Sequence, residues 1–231
     1  MELHHIKAIA FDADDTLWVN EPLFRQAEER FCELMEPFAE KEDCNRELFG
    51  YEMQNLPLYG YGIKPFVLSL IEAAMRISDN KVPLKTIDQL IAMGKQMLEA
   101  PVEVLDGVED TLEGLVGKYR LVVATKGDLL DQQRKLIKSG LEPFFHHIEI
   151  VSDKTQKEYN KLVRHLDIRN KEFLMVGNSV KSDILPVLEI GSYAIHIPFH
   201  TTWEHEVVKE PVEHPHFKEL YQATELLALL A

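Results

Sequence analysis

Residues 6 to 11, Ile-Lys-Ala-Ile-Ala-Phe, make a short apolar run that stops at three carboxylates, Asp12, Asp14 and Asp15, followed by Thr16-Leu17-Trp18. A run this short and nearly continuous suits a strand buried on both faces better than a helix. Carboxylates crowded at the end of such a strand repel one another and lose hydration, so something must balance them. A divalent cation is the simplest remedy, and hard oxygen ligands suit Mg²⁺. Asp12 and Asp14 stand two apart, so in an extended segment their side chains leave the same face. One carboxylate can then attack a substrate while the other exchanges protons with it. The competing reading makes the three acids a solvated loop tip that caps a helix, which is the usual fate of a lone Asp-x-Asp. The strand before the acids and the Thr-Leu-Trp after them weigh against it.

The remainder of the chain divides by texture. From Glu21 to Ala39 apolar residues recur at helical spacing (Leu23, Ala27, Phe31, Leu34, Met35, Phe38), with Asn20 as cap and Pro22 in the first turn. Residues 46–58 predict a second helix ended by Pro57, then a loop with Tyr59, Gly60, Tyr61 and Gly62. Lys64 to Arg76 and Thr86 to Glu99 predict two more helices, and no strand signal appears between residues 20 and 100. From Pro101 the pattern alternates. Helices are predicted over 107–119, 129–139, 156–165, 182–190 and 223–230. Strands are predicted at 121–124, 148–151, 173–176 and 193–197, and residues 212–216 either pair or wander. Alternating strands and helices predict an α/β fold, a Rossmann-like parallel sheet covered on both faces by helices, with right-handed crossovers. The expected division is an α/β core of residues 1–18 plus 102–231, interrupted by a helical cap over 19–101, with short hinges near Asn20 and Pro101.

Composition narrows the function. A chain of 231 residues carries 25 Lys and Arg against 39 Asp and Glu, a formal charge of −14. That excess argues against nucleic acid as a general partner, since phosphate backbones need clustered positive charge. No apolar run approaches the roughly 20 residues that span a bilayer. The N-terminus, Met-Glu-Leu-His-His, lacks secretory features, so a cytoplasmic location is expected. Cys32 and Cys44 are the only cysteines, read as two reduced thiols.

In an open parallel sheet, ligands sit beyond the carboxyl ends of the strands. Here those ends carry Asp12 and Asp14, Thr125 and Lys126, Ser152-Asp153-Lys154, and Gly177-Asn178-Ser179 with Ser182 and Asp183 a turn later. This inventory of carboxylates, hydroxyls, an amide and ammonium groups can hold Mg²⁺ and a phosphoryl group together. Asp-Ala-Asp-Asp-Thr after the first strand resembles the first motif of the haloacid dehalogenase-like hydrolases, Asp-x-Asp-x-Thr. Thr125 resembles the second motif and Lys154 the third. Gly177 to Asp183 resembles the fourth, usually Gly-Asp-x-x-x-x-Asp. The resemblance covers essentially the whole chain, and the helical block matches that family's helical cap.

The resemblance implies a magnesium-dependent phosphatase acting on a small phosphorylated metabolite. Asp12 is the implied nucleophile, which becomes an aspartyl-phosphate, and Asp14 the acid and base. Thr125 and Lys154 hold the phosphoryl oxygens, with Lys126 at the substrate-binding rim. Metal ligation falls to Asp12, the Asp14 main-chain carbonyl and Asp183, with Asn178 as a neutral ligand or outer neighbour. Two departures stand out. Asn178 replaces a common Asp, and Asp15, at a position often Gly, reads as helix-capping or partnered by a cation. Lys157 competes with Lys154, but Lys154 follows its strand more closely. Lys181 reads as a surface charge. Asp14 favours phosphate esters over carbon–halogen bonds, whose dehalogenases need neither metal nor this acid. A sugar-phosphate mutase, a haloacid dehalogenase of the same fold and a non-catalytic binding protein remain as alternatives. Substrate choice is expected from Trp18, Arg25, Tyr59, Tyr61 and Lys64, while His200, His205, His214 and His216 read as scattered rather than as a metal site.

Overall fold

The computed structural model describes all 231 residues. Six strands form one parallel sheet: β1 (Ala8–Phe11), β2 (Arg120–Lys126), β3 (His147–Val151), β4 (Phe173–Gly177), β5 (Tyr193–His196) and β6 (Phe217–Glu219). Their order is β3-β2-β1-β4-β5-β6. The central strand β1 is wholly buried, with Phe11 level with Val123 on one side and Val176 on the other. Chain progression reverses direction across the sheet at β1 and β4, which opens a crevice at the carboxyl ends of those strands. Asp12 follows Phe11 directly into that crevice.

Side-chain alternation sorts the sheet into two cores. Ile9, Phe11, Leu121, Val123, Leu174, Val176 and Ile195 face one side, where they pack with Leu112 of α5 (Val108–Leu115), Leu136 of α6 (Leu129–Ser139) and Leu226 of α9 (Glu225–Leu229). Ala8, Ala10, Val122, Ala124, Phe173, Met175 and Ala194 face the other. There they meet Leu162 and Val163 of α7 (Gln156–His165) and Val187 of α8 (Leu185–Glu189). Strands buried on both faces explain the unbroken apolar runs of the sequence.

The chain divides into two compact units, one of Met1–Glu21, Val102–Lys126 and Gln132–Ala231, the other of Pro22–Pro101 with Gly127–Asp131. The second is helical: α1 (Glu21–Met35, begun at the unit boundary), α2 (Lys41–Tyr59), α3 (Ile63–Ile77) and α4 (Leu84–Glu99). Phe31, Met35, Leu48, Ile63, Phe66, Leu70 and Leu90 form its core. Within it the buried Asn55 amide donates to Ser69 Oγ at 3.1 Å, which satisfies a polar pair that would otherwise oppose burial. Cys32 and Cys44 are free and buried. No helix is long and apolar enough to cross a membrane.

Several boundaries differ from the sequence reading. Helix α2 runs through Pro57 to Tyr59, although Pro57 gives up one i→i−4 bond, and it ends where the Gly60 N–H bonds the Leu56 carbonyl at 3.0 Å. Helix α5 stops at Leu115, where Gly117 adopts a left-handed φ of 81°. The segment after β4 opens with one wide π turn, Val180–Ile184, before α8. Residues 212–216 wander, and the last strand follows them at 217–219. Pro211 and Pro215 lack the N–H that a ladder needs, so pairing with β5 begins after them.

Candidate active site

Asp12 is buried, and its Oδ1 accepts from the Lys154 ammonium. Lys154, with only 3% of its side chain exposed, also donates to Asp183 Oδ1 at 2.6 Å. A buried ammonium between two carboxylates balances charge that could not otherwise leave water. Burial acts to lower the ammonium's pKa, but the Asp12 and Asp183 charges outweigh it and hold Lys154 above its usual range. Burial pushes the Asp12 carboxyl up, with Asp183 and Asp14 adding to the effect and Lys154 opposing it. Tyr159, on α7, buries its ring beside the pair and donates to the Ser182 carbonyl at 3.1 Å. Lys157, the competing residue, is exposed.

Asp14 leaves the same strand end but meets a different set of partners. Its Oδ1 accepts from the Trp18 indole at 2.7 Å and the Lys135 ammonium at 3.0 Å, and its Oδ2 accepts from Gln132 at 3.1 Å. The same Gln132 amide donates to Thr125 Oγ1 at 2.7 Å and the Lys126 carbonyl at 3.0 Å. Gln132 and Lys135 both lie on α6. Sequence reasoning missed them, because a polar residue three apart from another on an amphipathic helix carries no signal of its own.

The fourth strand delivers Gly177-Asn178-Ser179. A Cβ on Gly177 would stand 2.3 Å from Asp183 Oδ2, so only glycine lets the strand pass the carboxylate this closely. Gly177→Ala is therefore expected to displace Asp183 and to lower turnover by at least about tenfold, since 1 Å of misplacement is costly in a site of this kind. Unchanged kcat in steady-state assays would refute this. Asp183 Oδ2 also accepts from the Ser179 N–H at 3.0 Å, which locks the π turn. The loop is held from behind by His196, whose Nε2 lies 3.0 Å from the Asn178 carbonyl.

Glu206 was also missed. It arrives from the irregular segment after β5 and accepts from Lys126 at 2.6 Å, from Ser182 Oγ at 2.6 Å and from Ser179 Oγ. Burial works to raise the Glu206 carboxyl, but the Lys126 ammonium and these hydrogen bonds outweigh it and hold the pKa at about 2. A carboxyl depressed below its ordinary value of 4.5 contributes stability that is complete above that value and lost as pH falls through the folded value. Glu206→Gln should thus destabilise the protein by about 1–3 kcal/mol at neutral pH. In urea titrations the gap to wild type should close between about pH 4.5 and about pH 2. A gap independent of pH would contradict the clasp.

Other residues singled out from the sequence fall elsewhere. Lys126 donates to Glu206 and to Ser182 Oγ at 2.8 Å. Asp15, at φ 61°, accepts from the Asn20 and Glu21 N–H groups at the start of α1, so it caps that helix. Trp18 is 1% exposed within the α/β unit, where its indole donates to Asp14. In the helical unit, Arg25 pairs with Glu28 and Lys64 with Asp128, Tyr59 is exposed and Tyr61 half-buried. Lys181 lies at the surface and donates to the His205 carbonyl at 2.8 Å. His200 and His214 are exposed, and His216 stacks on Tyr193 at 4.2 Å.

No three His, Cys, Asp or Glu side chains cluster as metal ligands. The oxygen set at Asp12 is of another kind: a carboxylate, a main-chain carbonyl and an amide. The inward atom of the Asn178 amide lies 3.2 Å from Asp12 Oδ2, 3.2 Å from Thr16 Oγ1 and 3.3 Å from the Asp14 carbonyl. With nitrogen inward it donates to these groups. With oxygen inward, the Thr16 hydroxyl can donate to it, but it still faces two acceptors, Asp12 Oδ2 and the Asp14 carbonyl, and a small hard cation resolves that conflict. The residues present therefore fit Mg²⁺.

Known proteins share this architecture. Residues 6–191 match the haloacid dehalogenase-like hydrolase family, and the chain belongs to that family of hydrolases. A solved haloacid dehalogenase-like hydrolase from Xanthomonas campestris is similar at 32% identity, with a TM-score of 0.89 over 98% of this chain and 91% of that one. The glyceraldehyde 3-phosphate phosphatase of Methanopyrus kandleri is 24% identical over 83% of this chain and 84% of its own length. The putative hydrolase YfnB of Bacillus subtilis, solved bound to magnesium, shares the fold at a TM-score of 0.64 and 18% identity over 97% of this chain and 98% of its own.

Proposed function

We propose that this protein is a magnesium-dependent phosphatase that hydrolyses a small phosphorylated metabolite through an aspartyl-phosphate on Asp12. The observation that carries the reading is the buried Asp12–Lys154–Asp183 charge cluster, with a second carboxylate, Asp14, leaving the same strand end two residues on. An arrangement of one masked nucleophile and one hydrogen-bonded acid fits two-step phosphoryl transfer. Asp12 attacks phosphorus in line, Asp14 protonates the departing alkoxide, and Asp14 then takes a proton from the attacking water. Thr125 and Lys154 hold the charge of the transferring group, which is where most of the rate enhancement arises. Asp12, the Asp14 carbonyl, Asn178 and Asp183 would hold Mg²⁺, which when bound offsets repulsion between carboxylate and phosphate.

Support for a phosphate ester over a halogenated acid comes from Asp14 and its dedicated donors, which a dehalogenase does not need. The phosphatase of Methanopyrus kandleri, acting by its name on a triose phosphate, favours a substrate of that size. On this reading the helical unit serves as a cap that selects the organic part of the ester. The test is release of phosphate from 4-nitrophenyl phosphate and a panel of phosphorylated metabolites, triose phosphates included, with Mg²⁺ and with chelator. Turnover that requires Mg²⁺ is expected. Silence across the whole panel in the presence of Mg²⁺ would sink the proposal.

A further inference from the structure

We infer that Lys135 is a positioning residue that, with Trp18 and Gln132, holds Asp14 so that its Oδ2 is the oxygen carrying the proton to and from substrate. The inference rests on the phosphatase reading and deepens it. A carboxyl side chain offers two oxygens, and which one delivers a proton is decided by its other partners. At Asp14 those partners are unequal. Oδ1 accepts two donors, the Trp18 indole at 2.7 Å and the Lys135 ammonium at 3.0 Å. Both are obligate donors, so Oδ1 has no place for a travelling proton.

Oδ2 has a single neighbour, the Gln132 amide at 3.1 Å. That amide also bonds Thr125 Oγ1 at 2.7 Å, so it sets Oδ2 beside the hydroxyl expected to hold the phosphoryl group. Lys135 is anchored from a second side by the Asn20 side-chain oxygen at 2.8 Å, and only 14% of its side chain is exposed. An ammonium fixed between two acceptors has given up its rotamer freedom already, so it can define one rotamer of Asp14. The three donors come from three places in the chain, two helical positions one turn apart on α6 and one tryptophan four residues beyond Asp14. Such convergence on one carboxylate specifies an orientation more tightly than charge balance alone requires.

The consequence is selective. An acid matters when the leaving group is a poor one, such as an alkoxide, and hardly at all when it departs as a stabilised nitrophenolate. Since kcat/KM reports steps up to the first irreversible one, it isolates departure of the leaving group from hydrolysis of the phosphoenzyme. The experiment compares kcat/KM for an alkyl phosphate and for 4-nitrophenyl phosphate in wild type, Lys135→Met, Lys135→Arg and Trp18→Phe. Lys135→Met should lose at least about tenfold on the alkyl ester and less than about threefold on the aryl ester, within the range that acid catalysis supplies. Lys135→Arg should recover most of the alkyl activity, and Trp18→Phe, which deletes only the N–H donor, should shift the ratio in the same direction as Lys135→Met. Equal losses on both esters, or none on either, would overturn the assignment while leaving the phosphatase reading intact. Failure of the wild type to hydrolyse these two esters and every phosphate of the metabolite panel in the presence of Mg²⁺ would overturn both.

Discussion

Asp12→Asn is expected to lower phosphate-ester turnover by at least about a thousandfold while leaving the fold in place, because an amide oxygen is too weak a nucleophile to displace an alkoxide. The substitution keeps the shape of a side chain that is 7% exposed at the end of the central strand. Lys154 retains Asp183 as a partner at 2.6 Å, so the ammonium is not stranded. Two measurements check the result. Steady-state hydrolysis should fall to background, and acid quenching after mixing with labelled substrate should trap phosphoenzyme in wild type and none in the variant. Near-normal activity in Asp12→Asn would place the nucleophile elsewhere.

The second large effect is structural as much as catalytic. Lys154→Met removes the ammonium that separates Asp12 from Asp183, leaving two buried carboxylates facing each other with no cation between them. Removing one partner of a buried ion pair costs about 3–5 kcal/mol, since the survivors keep their desolvation penalty and lose their attraction. The loss should be largest near neutral pH and should shrink in acid, where protonation discharges the stranded carboxyls. Urea unfolding at neutral and acidic pH, in chelator, reads both predictions. Activity should fall by at least about a hundredfold, because Lys154 also faces the developing charge of the transferring group. A variant as stable as wild type at neutral pH would mean that the cluster is not the charge-balanced unit described above.

These two residues also mark how far the sequence could be read. Asp12 was legible because it follows an apolar run, and the run is apolar because β1 is buried on both faces between β2 and β4. Lys154 was separable from Lys157 by its distance from a strand and by Tyr159 following it. Burial differs between them, one ammonium being enclosed and the other exposed. Thr125 and Gly177 to Asp183 were found in the same way, each at the carboxyl end of a β-rich run. A short range of spacings and a period of two are local properties, and local properties survive in one dimension.

The donors around Asp14 do not survive there. Gln132 and Lys135 are two polar residues on an amphipathic helix, and Glu206 is one acid among 39 acidic residues. Nothing within a few positions of them announces a role. Lys126 illustrates the same limit from the other side, since nothing beside it in the chain points to Glu206, which reaches it from 80 residues away. The sequence left residues 212–216 either to pair or to wander, and hydrogen bonding to β5 begins just after them, at Phe217. By itself the sequence determined the parallel sheet, the inserted helices and the carboxylates at the end of the first strand, because burial on both faces and helical periodicity are written into neighbouring residues. The tertiary structure alone decided which oxygen of Asp14 is saturated and which charge meets Lys126, because those contacts depend on where distant segments cross and not on what lies beside them in the chain.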